Sequence, residues 1–155
     1  LVDARCIQAL YEASRAGVRV DLNVRGVCCL RPGVPGVSEN IRVVSVVGRF
    51  LEHSRIYAFR RGEETRVLTG SADLMPRNLD SRVELVAPIE DEGLRGELLD
   101  VLERCLADNA NAWELGGDGA WIRLSAPASE RRSVQAELRE RHSASTAEQF
   151  VATAG

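Results

Sequence analysis

IRVVSVVGRFLEHSRIYAFRRGEETRVLTGSAD, residues 41–73, decides the fold. Its opening, IRVVSVV (41–47), reads as a strong strand. SRIYAFR (54–60) and TRVLT (65–69) read as a hairpin around Arg61-Gly62-Glu63-Glu64. Upstream, residues 3–16 read as a helix. Asp3 suits its N-cap, Ile7, Leu10, Tyr11 and Ser14 fall near one face, and Gly17 suits the position past its end. VRVDLNV (18–24) alternates and reads as a strand, so helix, glycine and strand follow one another as an α/β unit. Residues 25–40 are a turn-rich connection, too long and too apolar to be idle. Downstream, RVELVA (82–87) reads as a strand closed by Pro88. Residues 90–109 are the clearest helix, with Leu94, Leu98, Val101, Leu102, Cys105 and Leu106 on one stripe. WELGGDGAWIRL (113–124) reads as a hairpin tipped by Gly116-Gly117-Asp118-Gly119. Residues 128–141 read as a weak polar helix anchored by Val134 and Leu138, and 142–155 are expected to fray.

The chain has 155 residues and 17.0 kDa, room for one domain with a real core. Apolar residues are 45% and charged residues 28%, which argues against disorder. No apolar run is long enough for a transmembrane helix, and no cationic segment precedes an apolar one as in a secretory signal. The first residue is Leu1 rather than Met, so the chain reads as a piece of something longer.

All 20 basic residues are Arg, so any anion site must use guanidinium or backbone N–H groups. Net charge is −3, unevenly spread: residues 25–82 hold ten Arg and six acids, residues 83–155 seven Arg and fourteen acids. A basic middle in an acidic chain suggests a local anion site rather than a nucleic-acid surface. Solvated arginines on an ordinary face are the plainer reading. Cys6, Cys28, Cys29 and Cys105 form no CxxC pair, and are expected to be reduced and mostly buried. Two distant histidines leave no zinc spacing.

His53 is the histidine of the basic middle. It precedes a strand, so alternation puts His53 and Arg55 on one side. An imidazole beside a guanidinium suits phosphoryl chemistry, although a lone histidine near a strand is commonly structural. Gly70-Ser71-Ala72-Asp73 follows, a turn that can offer backbone N–H groups and a hydroxyl to phosphate oxygens. Together these resemble the phospholipase D motif. Arg55 stands where Lys is usual, Arg60 where an Asp would be, and Asp73 where Asn would be.

The longer strings are more specific. VRGVCCLRPGVPGVSENIRVVSVVGRFLEHSRIYAF (24–59) and GSADLMPRNLDSRVELVAPIED (70–91) closely resemble the C-terminal catalytic domain of the bacterial polyphosphate kinases that phosphorylate their own histidine. LVDARCIQALYEASRAGV (1–18) and LADNANAWEL (106–115) fit as well. The resemblance covers residues 1–124, leaving 125–155 as a C-terminal helix and tail.

That resemblance implies an α/β fold, a phospholipase-D-like mixed sheet flanked by helices in a single domain, with an edge strand that usually precedes residue 1. It implies reversible transfer of the terminal phosphate of ATP to inorganic polyphosphate, with Mg²⁺. The phosphorylated histidine and the groups holding Mg²⁺ would lie in an upstream domain, so the isolated chain is expected to be inactive. By motif, Arg25 matches a nucleotide-phosphate-binding arginine, His53 the second site histidine with an acid–base role, and Arg82 another phosphate-facing arginine. Arg55, Ser71 and Asp73 join them through strand direction and the phospholipase D pattern, and Arg31 is equally a ligand or a structural residue. No metal site is assigned to this chain, and His142 is expected at the surface. Expected partners are ATP and ADP, polyphosphate, the upstream domains and further copies of the full-length chain, but no nucleic acid. The expected location is the cytoplasm, or the periphery of the inner membrane. The alternatives are a dimeric phospholipase-D-type phosphodiesterase, a non-catalytic polyphosphate-binding domain, and a degraded gene product that keeps only its fold.

Overall fold

The computed structural model describes the backbone of residues 1–153 and the side chains of residues 1–143. Helix α1 (Ala4–Arg15) leads into β1 (Val20–Asn23), and β2 (Ile41–Val46) pairs with β1 in parallel. The Asp3 carboxylate caps α1 by accepting from the Cys6 N–H at 3.0 Å. Gly17, just past the helix, takes φ +82°, open to a residue without a Cβ.

The hairpin is β3 (Ile56–Arg61) and β4 (Glu64–Gly70), with Gly62 at φ +59° in its two-residue turn. A short helix, α2 (Pro76–Asp80), separates it from β5 (Val86–Pro88). Helix α3 (Glu92–Ala107), β6 (Ala112–Leu115) and β7 (Trp121–Arg123) follow. A 3₁₀ turn (Ala128–Glu130) precedes α4 (Val134–Thr153).

The strands form two sheets: β1-β2-β6-β7, mixed, and β3-β4-β5, antiparallel. The α/β class and single domain stand, and the one expected sheet is divided. Both edges of β2 are taken, by β1 and by β6, so the 56–70 hairpin finds its third strand in β5. That strand lies at 86–88 rather than 82–87, with Pro88 opposite Leu68.

Strand β2 is buried on both faces. Ile41 and Val43 pack with Leu1, Leu30 and Leu115 beneath Ile7, Leu10 and Tyr11 of α1. Val46 packs on the other side with Cys105, Ala112 and Val134. The α3 stripe starts later than expected: Leu94 is 54% exposed, and Val101 and Cys105 carry the packing. All four cysteines are free, but only Cys105 is buried, and that burial pushes its thiol up to about 12. Cys29 is exposed.

The C-terminal helix starts at Val134 rather than 128 and continues to Thr153, where fraying was expected from 142; residues 154–155 lie outside those described. Val134 and Leu138 are its anchors, as expected, and His142 is exposed. No described helix is long and apolar enough to cross a membrane.

Candidate active site

Arg25 lies two residues beyond the end of β1, and the segment 47–55 leaves the end of β2. Ligands of open α/β sheets bind beyond the carboxyl ends of parallel strands, and the β1–β2 pair is the parallel pair here. Asp73 reaches the same place from the turn between β4 and α2.

Three side chains converge. Arg25 Nη2 donates to Asp73 Oδ1 at 3.2 Å, and Arg55 Nε donates to the same oxygen at 3.1 Å. Arg25 Nη1 also donates to the Glu52 carbonyl at 2.9 Å. Arg55 Nη1 donates to the His53 carbonyl at 2.9 Å and lies 2.9 Å from His53 Nδ1. The same Arg55 nitrogen lies 3.3 Å from His53 Nε2, so the guanidinium sits against the ring edge.

Burial pushes the Asp73 carboxyl up, but the Arg55 hydrogen bond and charge, with Arg25 behind them, more than offset it and hold it below the usual carboxylate range. Tyr57 closes the inner side, its hydroxyl donating to the Ala72 carbonyl at 2.9 Å; burial, then the Asp73 charge, pushes its phenol up.

Strand β3 starts at Ile56, so His53 and Arg55 lie on the loop before it, and strand alternation does not align them. They meet because the Arg55 side chain folds back over His53. The Gly70-Ser71 turn is also more engaged than expected. The Gly70 N–H donates to the Arg55 carbonyl at 3.1 Å and the Ser71 N–H to the Leu85 carbonyl at 2.9 Å. The Ser71 hydroxyl donates to Glu84 and accepts from the Leu85 N–H at 3.1 Å. The hydroxyl bond, then Asn78 Nδ2 at 2.7 Å, holds the Glu84 carboxyl low.

Arg82 is exposed and forms no hydrogen bond or ion pair among the described residues; its charge acts on Glu84. Arg31 anchors its own turn through backbone atoms, donating to the Tyr11 hydroxyl and accepting from Ser38, while its side chain is exposed. The site therefore joins Arg25, His53, Arg55 and Asp73 directly, has Ser71 on an adjoining network, and has Arg82 as an unengaged cation.

Glu52, Glu84 and Gln135 are not signalled by the sequence, whereas strand alternation does put Tyr57 and Phe59 on one face. Glu52 adjoins the histidine, and the pattern offered no signal for Glu84 or Gln135. Gln135 comes from the C-terminal segment, yet its carboxamide holds the loop that carries His53.

Among the described residues no three His, Cys, Asp or Glu side chains gather to hold a metal ion. Asp73 is occupied by two guanidiniums, and Glu84 by Ser71 and Asn78. These residues do not fit a Mg²⁺ site of their own.

Two sheets flanked by helices, with the arginine–histidine cluster beyond the parallel pair, make a mixed α/β domain consistent with a phospholipase-D-like fold. The family model described as "Polyphosphate kinase C-terminal domain 2" matches residues 1–136. The chain belongs to that family. "Polyphosphate kinase 1" of Chlorobaculum tepidum is 57% identical over 129 residues, 82% of this chain and 18% of the relative. A "Polyphosphate kinase" of Pseudomonas aeruginosa is 53% identical over 142 residues, 91% of this chain and 21% of the relative. The crystal structure of polyphosphate kinase from Porphyromonas gingivalis superposes with a TM-score of 0.88 at 41% identity, covering 94% of this chain and 22% of that one. The chain thus spans about a fifth of the length of the relatives it matches.

Proposed function

We propose that this chain supplies one half of the phosphoryl-transfer site of a polyphosphate kinase. The full polypeptide would move the terminal phosphate of ATP reversibly onto inorganic polyphosphate. In this reading the phosphoryl group breaks from the β-phosphate oxygen of ATP, bonds to a histidine nitrogen elsewhere in the polypeptide, and passes to the chain-end oxygen of polyphosphate. ATP, ADP, polyphosphate and the remaining domains of the polypeptide are then its partners.

The carrying observation is that Arg25 and Arg55 converge on one carboxylate oxygen beside His53. Two guanidiniums aimed at one anionic oxygen are arranged as they would be around a phosphate. Neither is used up: Arg25 Nε and Arg55 Nη2 have no hydrogen-bond partner among the described residues. Charge-assisted bonds of this kind are worth roughly 1.5–3 kcal/mol when desolvated. Positioning and charge stabilisation supply most of the catalysis of a loose phosphoryl transition state.

Asp73 repels phosphate and attracts both arginines, so its role is to aim them. His53 is the acid–base group for the leaving oxygen: as Arg55 turns to phosphate, the ring nitrogen it faced is released to take up a proton. Arg82, exposed and unengaged, is a further cation for polyphosphate oxygens. Mg²⁺ belongs in this reading to the nucleotide and the upstream domain, and none of this chain's residues acts through it.

The test is phosphotransfer from ATP to polyphosphate by a full-length polypeptide carrying this chain. Arg25→Ala and His53→Ala are each expected to lower the rate at least about a hundredfold, roughly 2.7 kcal/mol of barrier. Undiminished transfer in either variant would overturn the reading.

A further inference from the structure

Among the described residues, helix α4 touches the site through one side chain, Gln135. Gln135 lies in its first turn and binds the loop after β2 three times. Its Oε1 accepts from the Phe50 N–H at 3.0 Å. Its Nε2 donates to the Phe50 carbonyl at 2.7 Å and to Glu52 Oε1 at 2.8 Å. The carboxamide rests on Gly48, where an added Cβ would come within 2.4 Å of Oε1. The helix is itself fixed at that end. The Val134 N–H donates to the Asp108 carboxylate at 2.9 Å, and Asp108, 1% exposed, also accepts from the N–H groups of Ala110, Asn111 and Ala112.

The other end of this linkage is the phosphate site. The Glu52 carbonyl receives Arg25 Nη1 at 2.9 Å, and the next residue is His53. Phe50 and Leu51 are 52% and 72% exposed, so apolar packing does little to hold the loop. Polar bonds from α4 supply what packing does not.

We infer that Gln135 is a positioning residue: it holds the 48–52 loop so that the Glu52 carbonyl aims Arg25 and the chain presents His53. The inference deepens the proposed function and rests on that reading for its consequence on phosphate binding. It gives the segment after β7 a role in the site.

The test uses the whole 155-residue chain with inorganic tripolyphosphate as the calorimetric probe, and the His53 ring resonances by NMR. Gln135→Ala is expected to weaken binding about fivefold and to shift the His53 signals. Gln135→Glu is expected to weaken it more, because a carboxylate then faces Glu52. The double change Glu52→Gln with Gln135→Glu restores the pair with residue 52 but leaves the Phe50 carbonyl without its donor, and affinity is expected to rise above that of Gln135→Glu alone while staying below the parent. Leu138→Ala, which loosens α4 packing without touching the loop, is expected to lower the melting temperature and leave the affinity and the His53 signals unchanged. Folded Gln135→Ala with parental affinity and parental His53 signals would overturn the inference. If the parent chain does not bind tripolyphosphate, the phosphate-site reading fails instead. The His53 signals of Gln135→Ala then decide the positioning role alone.

Discussion

Arg25 and Asp73, 48 residues apart in sequence, are joined by an ion pair of 3.2 Å, and the same carboxylate oxygen accepts from Arg55 at 3.1 Å. The side chains are 24%, 26% and 15% exposed, enough shielding for the triad to keep its geometry and enough opening for an anion to reach it. A carboxylate in that position competes with phosphate for the two guanidiniums and also fixes where they point. Binding and turnover should therefore respond to its removal in opposite directions.

Asp73→Asn keeps the shape and removes the charge. Tripolyphosphate affinity of the chain should rise about threefold to fivefold, about 0.7–1 kcal/mol, a value reduced from the buried-pair range because the triad is partly solvated. Phosphotransfer by a full-length polypeptide carrying the change should fall, because the arginines are less well aimed. Titration and assay side by side check the opposite signs.

The same residue gives a pH dependence. The Asp73 carboxyl is held below its ordinary 3.8 in the folded chain. Its contribution to stability is complete above the unfolded value and is lost as pH falls from about 4 through the folded value. Asp3, Glu84, Asp100 and Glu137 are lowered as well. The melting temperature should therefore fall steeply below about pH 4. Asp73→Asn should flatten that fall, measured by thermal melts at each pH.

Asp108 is the buried carboxylate that joins α3, β6 and α4, accepting four backbone N–H groups. Asp108→Ala leaves the buried Ala112 and Val134 N–H groups without partners and should destabilise the chain by about 3–5 kcal/mol in urea unfolding. Asp108→Asn keeps one acceptor oxygen and turns an amide toward a donor. It should cost about 2 kcal/mol.

Gly70 closes β4 against β5. An added Cβ there would lie 2.5 Å from the Leu85 carbonyl oxygen and 2.9 Å from Val86 Cγ2. The obstacle is backbone on one side, so Gly70→Ala should cost about 1–3 kcal/mol. It should also lower phosphotransfer by a full-length polypeptide carrying the change, since the turn that follows β4 carries Asp73, which aims the two arginines. Melting temperature and assay check the two parts.

Much of this was legible in the sequence. The run 41–47 told of a strong strand, and β2 is one, with its burial on both faces added by the structure. The capping Asp3 and the face of Ile7, Leu10 and Tyr11 located α1. Arg25, His53, Arg55 and Asp73, named from motif and spacing, meet in one cluster. What stayed hidden depends on partners far along the chain. Which strand takes which edge is set by competition for β2, which no local pattern records. Helix α2 has five residues, a proline at its start and no side-chain cap. The Gln135 bonds to Phe50 and Glu52 cross more than 80 residues of chain.

The most direct measurement is a calorimetric titration of the folded chain with ATP–Mg²⁺ and with short-chain polyphosphate, beside Arg25→Ala. The account expects binding that weakens at least about tenfold in Arg25→Ala, roughly 1.4 kcal/mol. Binding of equal strength in the folded Arg25→Ala chain would contradict it.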